Sequence, residues 1–479
     1  MKILHAGSEL TPFARTGGLG DVIEALPAAL AALGHDASVA IPCYRGLREH
    51  PELKPKDTGV RIQIPLGHRT LEAEIWEGKA STGVQVFLVR RDEFFDRSGI
   101  YGAEGREYGD NAERYIFFSK CVVEIARRIS PPLDLIHVHD WQAALVPVLV
   151  KERRLPFRTV LTIHNLAYQG SFWGLDFAFT NLPGQYFGAS GVEFYGNLNL
   201  LKGGIVFADA VTTVSETYAR EIQTPEYGAG LDVVMREHAH KLRGILNGAD
   251  YSEWNPATDK HLPKSYRPSN LAGKKACRDA LLEECGLAPS PKGPVFGMVT
   301  RLAEQKGIDL IFPVIDRLLS DDVRLIILGE GDSGYEREMM IASRRHAERF
   351  AYRAEVSERL AHMIQGGSDV FLVPSHFEPC GLTALYALKY GTLPLARNVG
   401  GLHQIVQDFD PVHNAGTGFI FHDYNAEALW DSILRAKRTF QDAATWKSLM
   451  QRAMEADFSW ARAVERYEEV YATLIGGAA

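Results

Sequence analysis

Short apolar runs typical of buried β-strands alternate with helical patterns along this chain, and the alternation occurs in two successive series. Such alternation favours a parallel sheet that helices cover on both faces. Because ligands of these sheets bind beyond the carboxyl ends of the strands, we predict an α/β protein with two doubly wound, Rossmann-like domains facing a central cleft. The predicted strands are residues 2–6, 37–42, 84–89, 133–138, 159–163, 210–214 and 242–246 in the first series, and 295–299, 324–328, 369–373 and 393–396 in the second.

The two series place a domain boundary near residue 249. We predict an N-terminal domain over residues 1–249 and a C-terminal domain over residues 250–455, which agrees with the usual size of domains in a chain of 479 residues. The polar segment 247–256 contains Gly, Asn and Pro and is suited to a hinge. The last segment, 456–479, has an amphipathic pattern, and we expect it to form a helix that packs back on the N-terminal domain.

Composition and charge exclude several classes of protein. The formal net charge is -8, which argues against a nucleic acid or an anionic membrane as a partner. The five cysteines are scattered and form no CxxC pair, so we expect neither a disulfide framework nor a zinc knuckle. The N-terminus lacks the apolar region of a signal peptide, and no apolar run approaches the ~20 residues of a membrane span. We therefore predict a cytoplasmic protein.

The stretch 373–401 carries the most informative pattern for function. An apolar strand ends at a loop that contains Glu378, and a helical segment then follows Gly381 and begins at Leu382. The unpaired N–H groups and the dipole of a helix N-terminus attract phosphate, and a carboxylate beside them accepts hydrogen bonds from sugar hydroxyls. The pattern indicates a site for a sugar and a phosphate. The alternative is a strand–loop–helix corner with a solvated glutamate.

A glycine-rich turn follows the first predicted strand, in the sequence FARTGGLGDV. The spacing of Gly17, Gly18 and Gly20 matches neither GxGxxG nor GxxxxGK[ST]. This excludes a plain dinucleotide site, and with it an NAD-dependent dehydrogenase, as well as a P-loop. Two interpretations stay open: a turn whose backbone approaches a ligand, and a turn with only a structural role.

Histidines and an aspartate end two strands of the first series. His137 and His139 share one face of a strand, and they either bind a metal or pack in the core; no third ligand can be identified in the sequence. Asp140, at the end of the same strand, is the better candidate for a ligand contact. His164 ends the next strand, where it either contacts a substrate or bonds a backbone carbonyl.

Two cations follow the first strand of the second series, in RLAEQKG. Arg301 and Lys306 place two positive charges near the end of that strand, which suits a diphosphate because charge-assisted hydrogen bonds to phosphate are strong. The alternative is a solvated, charged loop.

Ten motifs in order along nearly the whole chain resemble those of bacterial glycogen synthases and plant starch synthases, which are retaining glycosyltransferases of the GT-B fold. The motifs are RTGGLGDV, DNAERY, HVHDWQ, TIHNLAYQG, FYGNLNLLKGGI, ADAVTTVSETYA, LNGADYSEWNPATD, TRLAEQKGIDL, FEPCGLTALYALKYGTLP and DFSWARAVERYEEVY. The resemblance implies transfer of glucose from ADP-glucose to the non-reducing end of an α-1,4-glucan, without a metal or another cofactor. The nucleotide sugar and the glucan would be its partners, and the oligomeric state stays open.

The resemblance also implies roles for individual residues. The implied catalytic residues are Glu378, His164, Asp140, Lys306 and Arg301. The implied donor-binding residues are Arg15, Gly17, Gly18, Asn247, Gly381, Leu382 and Thr383. The implied residues of the acceptor and sugar pocket are Glu9, Asp21, Trp141 and Asn165.

Several positions depart from the pattern of the family. Arg15 stands for a lysine, Ala384 for a glutamine, Val356 for a tyrosine that stacks on adenine, Asn398 and Val399 for an arginine and a threonine, and Tyr386 for the second carboxylate of related enzymes. Most of these positions are implied to lie near the nucleotide and its phosphates. Two alternatives therefore stay open: a retaining GT-B enzyme that uses another nucleotide-sugar donor, and an inactive homologue that binds glucan or nucleotide.

Overall fold

A computed structural model describes residues 1–103, 105–129, 132–289, 292–354 and 357–476. The chain divides into two compact units. The first comprises Met1–Asn247 and Trp460–Ala479, and the second comprises Gly248–Ser459. The N-terminal boundary of the second unit lies two residues before the predicted one, and its C-terminal boundary lies four residues beyond the predicted one.

The first unit is built on a mixed sheet. In its described residues nine strands follow the order β14-β13-β9-β8-β1-β2-β5-β4-β3, parallel from β14 to β5 and antiparallel at the β5-β4-β3 edge. Short strands form two small sheets beside it. The strands are β1 (Lys2–Ala6), β2 (Asp36–Pro42), β3 (Lys56–Leu66), β4 (Arg69–Lys79), β5 (Gln85–Arg90), β6 (Gly102–Ala103), β7 (Arg106–Glu107), β8 (Leu135–His139), β9 (Arg158–Ile163), β10 (Ser171–Phe172), β11 (Glu193–Phe194), β12 (Asn197–Asn199), β13 (Ala210–Thr213) and β14 (Leu242–Gly244).

Helices connect the parallel strands of this unit, as expected for a sheet whose strands are buried on both faces. They are α1 (Gly18–Ala32), α2 (Asp92–Phe95), α3 (Asn111–Ala126), α4 (Asp140–Ala143), α5 (Leu145–Glu152), α6 (Phe177–Thr180), α7 (Leu200–Phe207), α8 (Glu216–Glu221) and α9 (Asp232–Glu237).

The second unit has a parallel sheet of six strands within the described part of the chain, in the order β17-β16-β15-β18-β19-β20. The strands are β15 (Val295–Val299), β16 (Arg324–Leu328), β17 (Phe350–Arg353), β18 (Val370–Val373), β19 (Leu393–Arg397) and β20 (Phe419–Phe421). Its helices are α10 (Ala272–Cys285), α11 (Ile308–Leu319), α12 (Ser333–Arg345), α13 (Glu358–Gly367), α14 (Leu382–Lys389), α15 (Leu402–Ile405), α16 (Ala426–Phe440) and α17 (Ala443–Glu455).

The C-terminal helix α18 (Trp460–Gly476) returns to the first unit. Its buried face, which includes Val464, Tyr467 and Tyr471, joins a core cluster with Leu26 of α1 and Leu135 of β8. The amphipathic pattern of the sequence explains this packing, because one apolar stripe of the helix is buried and the opposite face is polar.

Each of the eleven predicted strands occurs, with ends that differ by no more than two residues. In the two large sheets the prediction missed the edge hairpin of β3 and β4, as well as β17 and β20, and it also missed the short strands of the two small sheets. In β3 and β4 buried and exposed residues alternate, so these strands lack the continuous apolar runs of the parallel strands. Among the described helices none is long and apolar enough to cross a bilayer.

Candidate functional site

The order of strands in the second unit reverses at its first strand. The chain continues from β15 to β16 on one side, and β18 pairs with β15 on the other side. In open α/β sheets the crevice for a ligand lies at such a switch point, beyond the carboxyl ends of the two central strands. Here the loop after β15 carries Arg301 and Lys306, and the loop after β18 carries Glu378.

A salt bridge joins these two loops. Lys306 Nζ donates a hydrogen bond to Glu378 Oε2 at 2.7 Å, and the hydroxyl of Ser375 donates to the same oxygen at 3.0 Å. The side chains of Lys306 and Glu378 are 19% and 10% exposed, so the pair is largely removed from water. The structure thus brings together a cation and a carboxylate that the sequence places 72 residues apart.

Gly307 allows this close approach of the loops. It has a φ of +69°, and a Cβ at this position would lie 2.1 Å from the carbonyl oxygen of Pro374. Only glycine meets both conditions without strain. The backbone N–H of His376 also donates to the carbonyl of Gln305 at 2.8 Å, which ties the loop of Glu378 to the loop of Lys306.

Helix α14 begins directly after the loop of Glu378. Gly381 is its N-cap residue, and Leu382 and Thr383, both half-buried, form its first turn. The first N–H groups of a helix lack intrahelical acceptors and carry the positive end of the helix dipole. The side chain of Arg301 is exposed on the loop after β15. The elements of the predicted phosphate site therefore all lie at one end of this sheet.

The first unit has the same kind of switch point, at β1 between β2 and β8. The carboxylate of Glu9, after β1, holds the glycine-rich turn: it accepts from the backbone N–H of Thr16 at 2.9 Å, from its hydroxyl at 2.6 Å and from the N–H of Gly17 at 3.2 Å. The hydroxyl of Tyr101 also donates to it at 2.7 Å. With four donors around it, Glu9 acts as the anchor of this turn, a role that the sequence did not reveal.

Arg15 and Asp21 form an ion pair at 3.1 Å across the same turn, and the hydroxyl of Thr11 donates to Asp21 at 2.8 Å. The guanidinium of Arg15 is 42% exposed, and Gly18 begins α1. Three of the implied donor-binding residues, Arg15, Gly17 and Gly18, therefore lie at one helix N-terminus, where an anion would find N–H groups and a cation.

Asp140 lies at the carboxyl end of β8 with a φ of +56°. A residue other than glycine in this left-handed conformation is uncommon, and such residues cluster at functional sites. Its carboxylate accepts from the backbone N–H of His164 at 2.7 Å. Burial raises the pKa of Asp140 to about 7, although the backbone hydrogen bonds from His164 and Asn165 oppose this effect. The side chain of Asn165 accepts from the N–H of Ala167 at 3.1 Å.

Three histidines form a hydrogen-bonded chain next to Asp140. His5 Nδ1 lies 3.2 Å from His139 Nε2, and His139 Nδ1 lies 3.0 Å from His164 Nε2. Burial lowers the pKa of His5 and of His164 to about 3 and that of His139 well below its ordinary value, so all three are neutral at pH 7. Each neutral ring has one N–H, so the proton position on one ring fixes those on the others.

The chain of histidines has one preferred direction. His5 Nε2 is buried without a hydrogen-bond partner in the described residues. An orphaned buried N–H group is rarer than an unused acceptor, so His5 carries its proton on Nδ1. His139 then donates from Nδ1, and His164 accepts at Nε2 and carries its own proton on Nδ1. The sequence identified His164 but gave no sign of His5, which is 134 residues from His139.

His137 and His139 use all of their ring nitrogens. His137 lies 2.7 Å from the hydroxyl of Tyr471 through Nδ1 and 2.6 Å from that of Thr162 through Nε2. Both nitrogens of each ring are therefore in hydrogen bonds. Of the two interpretations of the sequence, metal binding and packing in the core, this arrangement favours packing in the core.

Two further predicted residues are buried. Trp141 is 8% exposed and makes edge contacts with Tyr115 and Phe172, at ring-centroid distances of 4.9 and 5.5 Å, so it contributes mainly to packing. Its role in a sugar pocket stays a prediction. Asn247 is 3% exposed, and its Oδ1 has no hydrogen-bond partner in the part of the chain that the structure describes. A buried amide oxygen of this kind is suited to accept from a ligand.

Among the positions that depart from the family pattern, Ala384, Tyr386 and Val399 are buried. Tyr386 stacks on Trp254 at a centroid distance of 4.2 Å, so it serves the core of the second unit. Val356 lies outside the described residues.

Comparison with known proteins supports the reading of both units. Residues 2–237 match the family model of the starch synthase catalytic domain, and residues 286–447 match that of glycosyl transferases group 1. The chain is 45% identical to the glycogen synthase of Opitutus terrae, over 98% of this chain and 99% of that protein, and 44% identical to the glycogen synthase of Koribacter versatilis, over 98% of both. The chain belongs to the glycogen and starch synthase family.

Solved structures agree with this family assignment. The catalytic domain of starch synthase IV from Arabidopsis thaliana, bound to ADP and acarbose, is similar with a TM-score of 0.92 and 31% identity over 99% of both chains. A sucrose-phosphate synthase from Thermosynechococcus elongatus, with 18% identity and a TM-score of 0.65, shares the fold. The predicted family and the GT-B fold class are confirmed, and the protein is a glycosyltransferase.

Proposed function

We propose that this glycosyltransferase moves glucose from ADP-glucose to the 4-OH at the non-reducing end of an α-1,4-glucan, with retention of the anomeric configuration. The observation that carries the proposal is the buried pair of Lys306 and Glu378 beside the N-terminus of α14. Membership of the glycogen and starch synthase family, whose members include a structure bound to ADP and acarbose, supports this donor and this acceptor.

Lys306 is suited to hold the diphosphate. Its ammonium group has three N–H donors, and the bond to Glu378 at 2.7 Å occupies one of them. We expect the other two to reach the phosphates, together with Arg301 and the first N–H groups of α14. Preorganised donors of this kind lower the barrier because negative charge develops on the departing diphosphate.

Glu378 is suited to hold the sugar. Its carboxylate is fixed by Lys306 and Ser375, and a carboxylate has about four acceptor sites, so capacity remains for sugar hydroxyls. In the first unit, the groups that we assign to glucose binding are Asp140, the Nδ1–H of His164 and the amide of Asn247. Carboxylates and carbonyls near the anomeric carbon stabilise its oxocarbenium-like transition state.

In the proposed reaction the bond from the anomeric carbon to the β-phosphate oxygen breaks, and a bond to the acceptor 4-oxygen forms on the same face. The proton of the 4-OH passes to the departing phosphate, so the products are ADP and a glucan one residue longer. The reaction requires no metal or other cofactor. A cytoplasmic location stays a prediction from the sequence.

The test is incorporation of labelled glucose into glycogen from ADP-glucose and, in parallel, from UDP-glucose. We expect label from ADP-glucose at a rate at least about tenfold higher, and release of the new residue by an enzyme that cleaves α-1,4 bonds. A preference for UDP-glucose would establish the alternative donor. Incorporation from neither donor, by a protein that still binds ADP or glucan, would establish the inactive homologue.

A further inference from the structure

A second cluster of metal-ligating side chains lies in the second unit and shares no residue with the proposed transfer site. His261, Glu358 and His362 each offer one ligand atom, and these atoms all lie within 4.8 Å of one another. Glu358 begins α13, and His362 follows four residues later, so the two side chains lie on one face of the helix. His261 comes from the segment before α10.

Asp259 arranges both histidines of the cluster. Its Oδ2 accepts from His362 Nδ1 at 2.8 Å, and its Oδ1 accepts from the backbone N–H of His261 at 2.8 Å. The side chain of Asp259 is 1% exposed, and the hydroxyl of Tyr390 donates to it at 2.5 Å. A carboxylate that receives Nδ1–H of a histidine directs Nε2 away from itself, as is usual for a metal-bound histidine. Burial lowers the pKa of His362, but the contacts with Asp259 and Glu253 outweigh this and raise it to about 9, so an ion that binds Nε2 displaces a proton.

The two Nε2 atoms are the observation that points to a ligand. His362 is 1% exposed, and its Nε2 has no hydrogen-bond partner among the described residues; the same holds for the buried Nε2 of His261. Each lies within ion-pair distance of a carboxylate: Glu358 is 3.3 Å from His261 Nε2, and Glu253 is 3.8 Å from His362 Nε2. Two unsatisfied buried nitrogens facing carboxylates form an incomplete polar network.

We propose that His261, His362 and Glu358 bind a divalent transition-metal ion of the Zn²⁺ class, with Asp259 as the carboxylate that orients His362. Two imidazole nitrogens and a carboxylate oxygen suit Zn²⁺, for which Zn–N and Zn–O distances are about 2.0–2.2 Å. Ligand atoms of one tetrahedral ion are then about 3.3–3.5 Å apart, so small side-chain rotations complete the site. Glu253, 3.8 Å from His362 Nε2, would be the fourth ligand.

A second group of histidines, in the first unit, differs from the His261–Glu358–His362 cluster in the hydrogen bonding of its ring nitrogens. His5, His137 and His139 satisfy the same distance criterion. There, however, both nitrogens of His137 and of His139 are in hydrogen bonds, so within the described part of the chain Nε2 of His5 is the one ring nitrogen of that cluster left for an ion.

The ion would brace the second unit. It would join α13 to the segment that carries His261. Trp254 stacks on His362 at a centroid distance of 3.8 Å and on Tyr386 of α14 at 4.2 Å. These contacts connect the cluster to the helix whose N-terminus we assign to phosphate binding. Binding to the folded state stabilises it by mass action, so thermal unfolding reports occupancy independently of activity.

The experiment measures bound zinc and affinity in the full chain, by elemental analysis after dialysis and by calorimetric titration with ZnCl₂ at pH 7.5. We expect one tight site in the wild type and a rise of the thermal midpoint with Zn²⁺. His261→Ala and Glu358→Gln change partly exposed side chains and keep the fold, and each should weaken binding at least about 100-fold, more than the 10–100-fold expected for Asp259→Asn. His362→Gln is a further variant.

His413→Ala is the matched control, because His413 is an exposed histidine of the same unit that pairs with Asp410. It should bind zinc like the wild type. The Co²⁺-loaded wild type should show the intense visible bands of four-coordination. The proposal is overturned if the wild type binds no zinc with an affinity better than millimolar, or if His261→Ala and Glu358→Gln retain the stoichiometry and affinity of the wild type. In that case a proton shared between His362 and Glu253 occupies the cluster.

Discussion

Lys306 Nζ lies 2.7 Å from Glu378 Oε2, between loops that follow the two central strands of one parallel sheet. Both side chains are mostly buried. A buried pair of this kind is weak evidence for a role in stability, because removal from water offsets most of the attraction between the charges. Its position at the switch point of the sheet favours a role in binding instead.

Replacing either member of this pair should lower glucose transfer much more than it disturbs the fold. Glu378→Gln keeps an acceptor for Lys306 and Ser375 but removes the charge, and we expect kcat to fall at least about 100-fold, as for the loss of an electrostatic contact made in the transition state. Lys306→Ala should give a loss of similar size. Glu427→Gln is the control, since Glu427 forms an exposed ion pair with Arg317 in the same unit. Turnover near the wild-type rate in both site variants would refute the assigned roles.

Gly17 allows a test that separates ligand contact from folding. Its φ is -163°, an extended conformation open to any residue, and a Cβ there would meet no atom within 4 Å. Gly17→Ala should therefore change the free energy of unfolding by no more than about 0.5 kcal/mol, yet raise KM for the donor, because the methyl group would occupy the space of the ligand. Gly20→Ala is the contrasting variant, since its Cβ would lie 2.9 Å from Thr11 Oγ1. An unchanged KM in Gly17→Ala would remove this turn from the donor site.

The direction of the histidine chain can be observed directly. In ¹⁵N-histidine-labelled protein at pH 7, His164 should carry its proton on Nδ1, because Nε2 accepts from His139. His139→Leu should release this constraint, populate the Nε2–H form and lower kcat/KM for the donor about tenfold, the cost of one misplaced hydrogen bond. Tyr471→Phe removes a partner of His137 only and should leave His164 unchanged. A proton on Nε2 of His164 in the wild type would reverse the assignment.

Asp140 should give the first unit a distinct dependence on pH. Its pKa of about 7 in the folded protein lies above the ordinary value of 3.8, so the folded state binds more protons between these values. The free energy of unfolding therefore falls as pH rises through this window. Asn tolerates the left-handed backbone and does not ionise, so the Asp140→Asn variant should not show this fall in the free energy of unfolding.

Urea unfolding from pH 5 to pH 8 measures the effect. Between pH 5 and pH 8 the free energy of unfolding of Asp140→Asn should rise by about 2–3 kcal/mol relative to that of the wild type, because one unit of pKa shift corresponds to about 1.4 kcal/mol. Glu52→Gln, an exposed site in the same unit, should show no such gain. If the free energies of unfolding of the wild type and of Asp140→Asn change in parallel with pH, then Asp140 ionises in the folded protein without an energetic cost.

The sequence predicted those parts of the fold and site that depend on local pattern. Parallel strands are continuous apolar runs, and polar residues at their carboxyl ends converge on one edge of the sheet, so Asp140, Lys306 and Glu378 could be identified before the structure.

Relationships between distant residues could not be predicted. Nothing in the sequence near Glu9 shows that its carboxylate holds the turn at Thr16, and His5 gives no sign of contact with His139. The cluster of His261 and His362 likewise depends on how α13 packs beside a segment about 100 residues earlier. These contacts arise from tertiary packing, which periodicity does not encode.

The central claim is that Lys306, held by Glu378, binds the leaving diphosphate. Calorimetric titration of wild type and Lys306→Ala with ADP and with AMP tests it most directly, because the two nucleotides differ by the β-phosphate. We expect the wild type to bind ADP more tightly than AMP, and Lys306→Ala to lose about 10–100-fold of that preference, the 1.5–3 kcal/mol of a charged hydrogen bond, with little change in affinity for AMP. An unchanged ratio of ADP to AMP affinity in Lys306→Ala would contradict the account.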